Sequence, residues 1–240
     1  MKRKFLIGSF VILALTCCSV ASHAQRVLAV DGGNGYKTEV RVYDDDIVRV
    51  VKYPAGLAQM PEKESFSVVL EPVEKKYAVS GRTVETECMK VVVNPSGEVS
   101  FYAKDGELLL KEGGCEVTPI TSGVDKGFYQ SSQTFVLERD EALFGLGQRG
   151  DIDMNQRGKE VKIWSTNGNI TIPYVTSEKG YGVYWDNAGL SYFKDQTGRN
   201  YGTTFMSEVS SGVDYYFMYK DGTQDGVMAA VRQLSGEATM

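Results

Sequence analysis

From about position 25 to 219, apolar residues recur at every second position in short runs, each closed by glycine, asparagine or aspartate. A two-residue period sends alternate side chains to opposite faces of an extended backbone, so such runs fold as strands. Val40 and Val42, then Ile47, Val48, Val50, Val51 and Tyr53, read as two strands joined through Asp44-Asp45-Asp46. Segments 65–70, 77–80, 84–93, 99–102 and 108–110 continue the series. Asn94-Pro95-Ser96-Gly97 and Lys104-Asp105-Gly106 supply turns between them. The second half adds 127–137, 161–164, 170–175, 180–185, 190–193, 201–206 and 213–219. So many short strands without a helical period predict an all-β chain, a large antiparallel β-sandwich.

One stretch has the other period. Val227, Ala230, Val231 and Leu234 are spaced i, i+3, i+4, i+7, with Thr223 placed to cap, Asp225 in the first turn and Gly236 as a stop. A single C-terminal helix is therefore expected. Its apolar face needs cover, either from chain beyond it or from the sandwich itself.

The opening residues read as an export signal. Lys2, Arg3 and Lys4 precede an apolar run from Phe5 to Leu15, and Ser22-His23-Ala24 offers small residues before a cut at Gln25. That run is too short to span a bilayer. A second reading is a lipoprotein signal in which Leu15-Thr16-Cys17 precedes an acylated Cys18. Cysteine before the cut fits that pattern poorly, so the expectation is periplasmic or secreted export. A membrane is a partner only if Cys18 is lipidated.

Export narrows the chemistry. The formal charge is −5 and turns more negative once the three leader cations are removed, which argues against nucleic-acid or anionic-membrane binding. The one histidine, His23, leaves with the leader, excluding Ser-His-Asp and Cys-His catalysis and imidazole metal ligation. Cys88 and Cys115 remain, either as a disulfide or as buried thiols, and two cysteines make no convincing zinc site. No cofactor is expected.

The densest cluster of motifs runs Phe144-Gly-Leu-Gly-Gln148, Asn155-Gln-Arg-Gly158, Trp164-Ser-Thr-Asn167, Ile172-Pro173-Tyr174 and Ser177-Glu-Lys-Gly-Tyr-Gly-Val-Tyr-Trp-Asp-Asn187. Taken locally these are glycine turns, a polar loop and two aromatic strands. No phosphate loop is present, because no βαβ pattern surrounds the glycines. Their order and spacing resemble the amino-terminal domain of glycoside hydrolase family 31, the α-glucosidase and α-xylosidase family. The likeness extends to Val48-Arg49-Val50, Asp214-Tyr-Tyr-Phe217 and Leu234-Ser-Gly-Glu-Ala-Thr-Met240.

The resemblance implies a galactose-mutarotase-like sandwich over 25–220, behind a leader at 1–24, with a helix at 221–240 leading to a (β/α)₈ barrel that the sequence does not include. Two catalytic carboxylates, about 5–5.5 Å apart for a retaining mechanism, would lie in that barrel. No catalytic residue is therefore expected here, although Asp153-Met154-Asn155-Gln156 resembles the string around the family's nucleophile. The domain would meet its oligosaccharide partner through the parent enzyme. Asn167 is the first candidate sugar contact, since an amide both donates and accepts, and Asp151 and Asp153 are the next. Asn167-Gly168 is equally a hairpin turn of type I′. Trp164, Tyr184 and Trp185 are expected in the core. A stand-alone carbohydrate-binding module is the alternative. An aldose epimerase is excluded by the missing histidine.

Overall fold

Strands form along most of the alternating runs, and their pairing decides which face each run buries. The computed structural model describes residues 26–61, 63–72, 77–150, 153–197 and 201–237. The segment expected to be a leader, with Cys18, and Asp151 lie outside the described residues.

Sixteen strands and one helix follow in order among those residues. The first half contains β1 (Arg26–Asp31), β2 (Tyr36–Asp44), β3 (Ile47–Pro54), β4 (Ala78–Ser80), β5 (Thr83–Glu85), β6 (Met89–Val93), β7 (Val99–Ala103) and β8 (Leu108–Pro119). The second half contains β9 (Tyr129–Val136), β10 (Leu143–Gly145), β11 (Glu160–Ile163), β12 (Tyr174–Ser177), β13 (Tyr181–Trp185), β14 (Ser191–Gln196), β15 (Gly202–Ser210), β16 (Val213–Tyr219) and α1 (Gln224–Ser235). They build a seven-stranded sheet, β1-β2-β3-β16-β13-β12-β10, and a nine-stranded sheet, β11-β14-β15-β9-β8-β7-β6-β5-β4. Every strand pairing is antiparallel. The expected all-β sandwich with one C-terminal helix is the fold observed.

The main core lies between the sheets. Val48 and Val50 of β3, Val183 and Trp185 of β13, and Tyr215 and Phe217 of β16 meet Val91, Phe101, Phe135 and Phe205 from the facing sheet. Phe217 stacks on Phe101 with ring centres 3.9 Å apart, and Trp185 lies parallel to Phe205 at 5.8 Å. One ion pair sits inside this core. Lys52 Nζ is 2.6 Å from Glu112 Oε2, both side chains are fully buried, and Glu112 also accepts from Tyr215 Oη at 2.8 Å and Val99 N at 2.5 Å.

A second, smaller core covers the outer face of the seven-stranded sheet. Tyr43, Ile47, Tyr174, Tyr184, Tyr216 and Met218 pack beneath Val227, Ala230 and Leu234 of α1. Thr223 Oγ1 caps this helix by accepting from Gly226 N at 3.0 Å, and Gly236 ends it at φ 87°. The helix thus finds its cover within the sandwich, with each fully buried valine or leucine worth about 2 kcal/mol.

Some strand expectations are corrected. Segment 65–70 is a strap, not a strand: the Val69 and Leu70 amides donate to Leu234 O at the helix end, so no neighbouring strand receives them. Segment 84–93 breaks into β5 and β6 because Thr86 Oγ1 accepts from Cys88 N and Met89 N and turns the chain. The run at 170–175 enters its strand only at Tyr174, after Pro173. β1 and β10 were not expected, and β8 extends well beyond the predicted 108–110. Cys88 and Cys115 are both free thiols. Burial above all, with nearby carboxylates, pushes Cys88 up to about 11. Burial likewise pushes Cys115 up to about 11, against the opposing pull of Lys52. Neither is poised as a thiolate. Among the described residues no group of histidine, cysteine and acidic side chains could hold a metal.

Candidate functional site

Four of the sequence motifs resolve into structural architecture. In Phe144-Gly-Leu-Gly-Gln148, a Cβ at Gly145 would land on the Tyr174 carbonyl oxygen and one at Gly147 on that of Ile170. The turn therefore requires glycine at both positions, and it seats the fully buried Leu146. In Asn155-Gln-Arg-Gly158, Arg157 is a knot. Its Nε is 3.0 Å from Asp195 Oδ2, its NH1 donates to the carbonyls of Glu138 and Glu141, and its NH2 donates to Tyr201 Oη at 3.1 Å. Two distant motifs also lock together. β3 pairs with β16, and Arg49 of Val48-Arg49-Val50 grips Asp214 through Nε···Oδ1 at 2.8 Å and NH2···Oδ2 at 2.6 Å. Such bidentate geometry is the strongest form a carboxylate–guanidinium pair takes.

Several exposed apolar side chains lie close together on one hairpin. Beyond β11 the chain makes a two-residue hairpin turn in which Thr166 and Asn169 exchange backbone hydrogen bonds at 3.0 and 3.1 Å. Asn167 sits at its tip, exposed. Gly168 has φ 91° while Asn167 does not have positive φ, which is the sign pattern of a type II turn and corrects the expected type I′. Trp164 is 53% exposed, against the expectation of a core residue, with Lys162 Nζ 4.1 Å over its ring. Ile170 and Ile172 are exposed on the same hairpin. Tyr184 and Trp185 are buried as expected. Asp153 lies exposed in the loop before β11, where its carbonyl accepts from Lys159 Nζ at 2.8 Å. The segment before Asp153 approaches the hairpin, where Gly150 N donates to Asn169 Oδ1 at 3.3 Å.

Beside the hairpin is a groove of about 500 Å³, which the sequence did not reveal. Its walls come from the strap (Lys63, Phe66), the hairpin (Ile163, Ser165) and the corner after β13 (Asp186, Asn187). Phe66 is 85% exposed. Beneath it lies a four-charge cluster. Lys63 Nζ stands 2.9 Å from Asp214 Oδ2 and 3.5 Å from Asp186 Oδ2, and it donates to the Asp186 carbonyl. Burial pushes Asp214 upward, but Arg49 and Lys63 outweigh it and hold the carboxyl below its ordinary value. Asp186 is raised instead, by burial first and by Asp214 second. The signals for this site were present as Asp186-Asn187 and Ser65, but these lie 121 positions apart and one was read as part of a strand.

A family described as the glycosyl hydrolase 31 N-terminal galactose mutarotase-like domain matches residues 37–193. An α-xylosidase of Saccharolobus solfataricus is 26% identical over 217 residues, covering 84% of this chain and 28% of its own. The structure of a family 31 α-xylosidase from Xanthomonas citri superposes with a TM-score of 0.74 at 18% identity, over 89% of this chain and 40% of that one. A family 31 dextranase of Flavobacterium johnsoniae, solved with glucose, gives 0.69 at 23% identity, over 86% of this chain and 26% of the other. The chain thus spans less than a third of the length of the curated α-xylosidase it matches.

Proposed function

This chain belongs to glycosyl hydrolase family 31 as its N-terminal galactose mutarotase-like domain, and from that premise we propose that it is the accessory sandwich of an exported α-glycosidase. Its role is to pack against a (β/α)₈ barrel and to shape the outer sugar subsites, with cleavage by barrel carboxylates. The observation that carries this reading is the family match over 37–193, beside which one hairpin region exposes Trp164, Ile170 and Ile172 together. Trp164, Ile170 and Ile172 there suit a domain contact, and Asn167 at the tip suits sugar hydroxyls. Asp151 and Asp153 are proposed as outer contacts of the same mouth. The proposed boundaries are a leader at 1–24, the sandwich at 25–220 and the helix at 221–240, leading toward the barrel.

The test is a rate assay of the purified chain on aryl α-xylosides and aryl α-glucosides. No turnover is expected; turnover abolished by Asp153→Asn would place catalysis in this domain and end the accessory reading. Mass spectrometry of the exported product should find Gln25 at its amino terminus, whereas an acylated Cys18 would assign it to the membrane.

A stand-alone carbohydrate-binding module is the second reading. What favours it is the helix, whose apolar face is already covered by Tyr174, Tyr216 and Met218.

A further inference from the structure

We propose that the groove between the strap and the Trp164 hairpin is a subsite for one or two neutral pyranose rings, with Asp186 Oδ2 as the hydrogen-bond acceptor and Phe66 and Phe128 as the apolar walls. This rests on the reading of the domain as the sugar-facing accessory part of a glycosidase, and it assigns that role to residues outside the family-like motif at Asn167.

The first support is an unsatisfied acceptor. Asp186 is 5% exposed, and its Oδ1 accepts from Ser65 Oγ at 2.9 Å. Its Oδ2 has no hydrogen-bond partner, with Lys63 at ion-pair distance only. That oxygen is itself buried, with Lys63 offsetting part of its desolvation, so a ligand donor reaches it as the Lys63 side chain shifts and then supplies the hydrogen bond it lacks. The position is rigid: Asp186 N donates to Asp214 O at 3.0 Å, and Trp185 behind it is fully buried.

The second support is charge. Arg49 and Lys63 balance Asp186 and Asp214, so the floor of the groove has no net charge. Glu64, exposed on the rim, adds one negative charge and disfavours anionic ligands. A site that offers an acceptor without a net field selects a neutral hydroxyl donor over a phosphate or carboxylate.

The third support is the wall. Phe66, 85% exposed, and Phe128, 47% exposed, face the groove with Ile163, Pro173 and Tyr184. Sugar rings are amphipathic, with hydroxyls at the edge and C–H groups on the faces, and so match an acceptor beside aromatic rings. Asn187 Oδ1 is committed to Gly189 N at 2.7 Å, leaving the amide hydrogens to donate. The volume of about 500 Å³ falls within the range of small-ligand sites and is short for a protein helix or strand.

The experiment is an amide NMR titration of the full chain with methyl α-xyloside and with isomaltotriose. Saturable shifts are expected at Ser65, Phe66, Asn187 and Gly189, with a Kd on the order of 1 mM. Phe66→Ala should weaken binding about tenfold, equivalent to roughly 1.4 kcal/mol, without changing the melting temperature. Asp186→Asn should weaken it by a similar factor. Groove shifts that Phe66→Ala leaves at full affinity would overturn the proposal. Shifts confined to residues 165–169 would also sink the groove, while leaving the accessory reading of the domain intact. No shift anywhere would count against both. Concentration-dependent self-association removed by Phe66→Ala would assign the groove to a protein partner and overturn the sugar assignment.

Discussion

The central strands of the seven-stranded sheet are buried on both faces, whereas the nine-stranded sheet keeps much of its outer face in water. In β16 every residue from Val213 to Met218 is buried, while β14 alternates buried Ser191, Phe193 and Asp195 with exposed or half-exposed Tyr192, Lys194 and Gln196. Alternation on its own therefore describes only the second sheet. In the first, the residues that would have faced solvent lie under α1 and the strap, and those that are polar have had to find partners. The charges are handled accordingly. Glu112 neutralises Lys52 in the inter-sheet core, Asp214 neutralises Arg49 on the covered outer face, and Glu160 faces Lys194 in the open on the second sheet.

These three ion pairs rank the sheets by what each loses when a charge is removed. Glu112→Gln strands Lys52 with no route to water and should cost about 3–5 kcal/mol in denaturant unfolding. Replacing both, as Lys52→Met with Glu112→Leu, should recover most of that loss; a double variant as weak as the single one would show that the pair does more than neutralise itself.

Asp214→Asn should cost less, about 2–3 kcal/mol, because the side chains of Arg49 and Lys63 are 12% and 20% exposed and can hydrate in part. The same carboxylate sets a pH dependence. Its folded pKa is held below the ordinary 3.8, so the unfolded chain binds the proton more readily. The stability it contributes is complete at neutral pH and is lost as pH falls below about 4 and through the folded value. Acid unfolding curves of wild type and Asp214→Asn should converge at the acid end; parallel curves would remove Asp214 from the account.

Two glycines extend the contrast from charge to backbone. Gly145→Ala in β10 combines φ 123° with a Cβ driven onto the Tyr174 carbonyl, and should lower stability by about 2–3 kcal/mol. Gly106, in the turn between β7 and β8, has φ 95° and open space around it, so Gly106→Ala should show the conformational strain alone, about 1 kcal/mol. Equal losses in thermal melts would mean that the close approach at Gly145 is relaxed in solution. Smallest of all, Lys194→Ala on the solvated face should change stability by less than about 0.5 kcal/mol.

The hairpin and the groove teach a related lesson about the site. Asn167 at its turn, Trp164 at the end of a strand pattern and the Gly-Leu-Gly turn are all visible as local patterns. The exposure of Trp164 was not, because it depends on whether another element covers the strand end. The sequence pattern places Phe66 inside a strand at 65–70 and assigns Lys63 nothing. Their actual role follows from Asp186 and Leu234, which lie far along the chain and draw the strap's side chains and amides away from any sheet.

By itself the sequence determined that this chain is built of antiparallel strands, where most of its turns fall and where its helix starts and stops. Those features depend on residues within a few positions of one another: period-two burial, glycine at positive φ, and Thr223 above Gly226. Only the tertiary structure decided that one sheet is covered twice, that Arg49 meets Asp214 across 165 positions, and that Asp186 keeps a buried oxygen without a hydrogen bond beside a groove. The physical reason is that burial and charge pairing belong to surfaces brought together by folding, and no short stretch of chain contains both halves of such a contact.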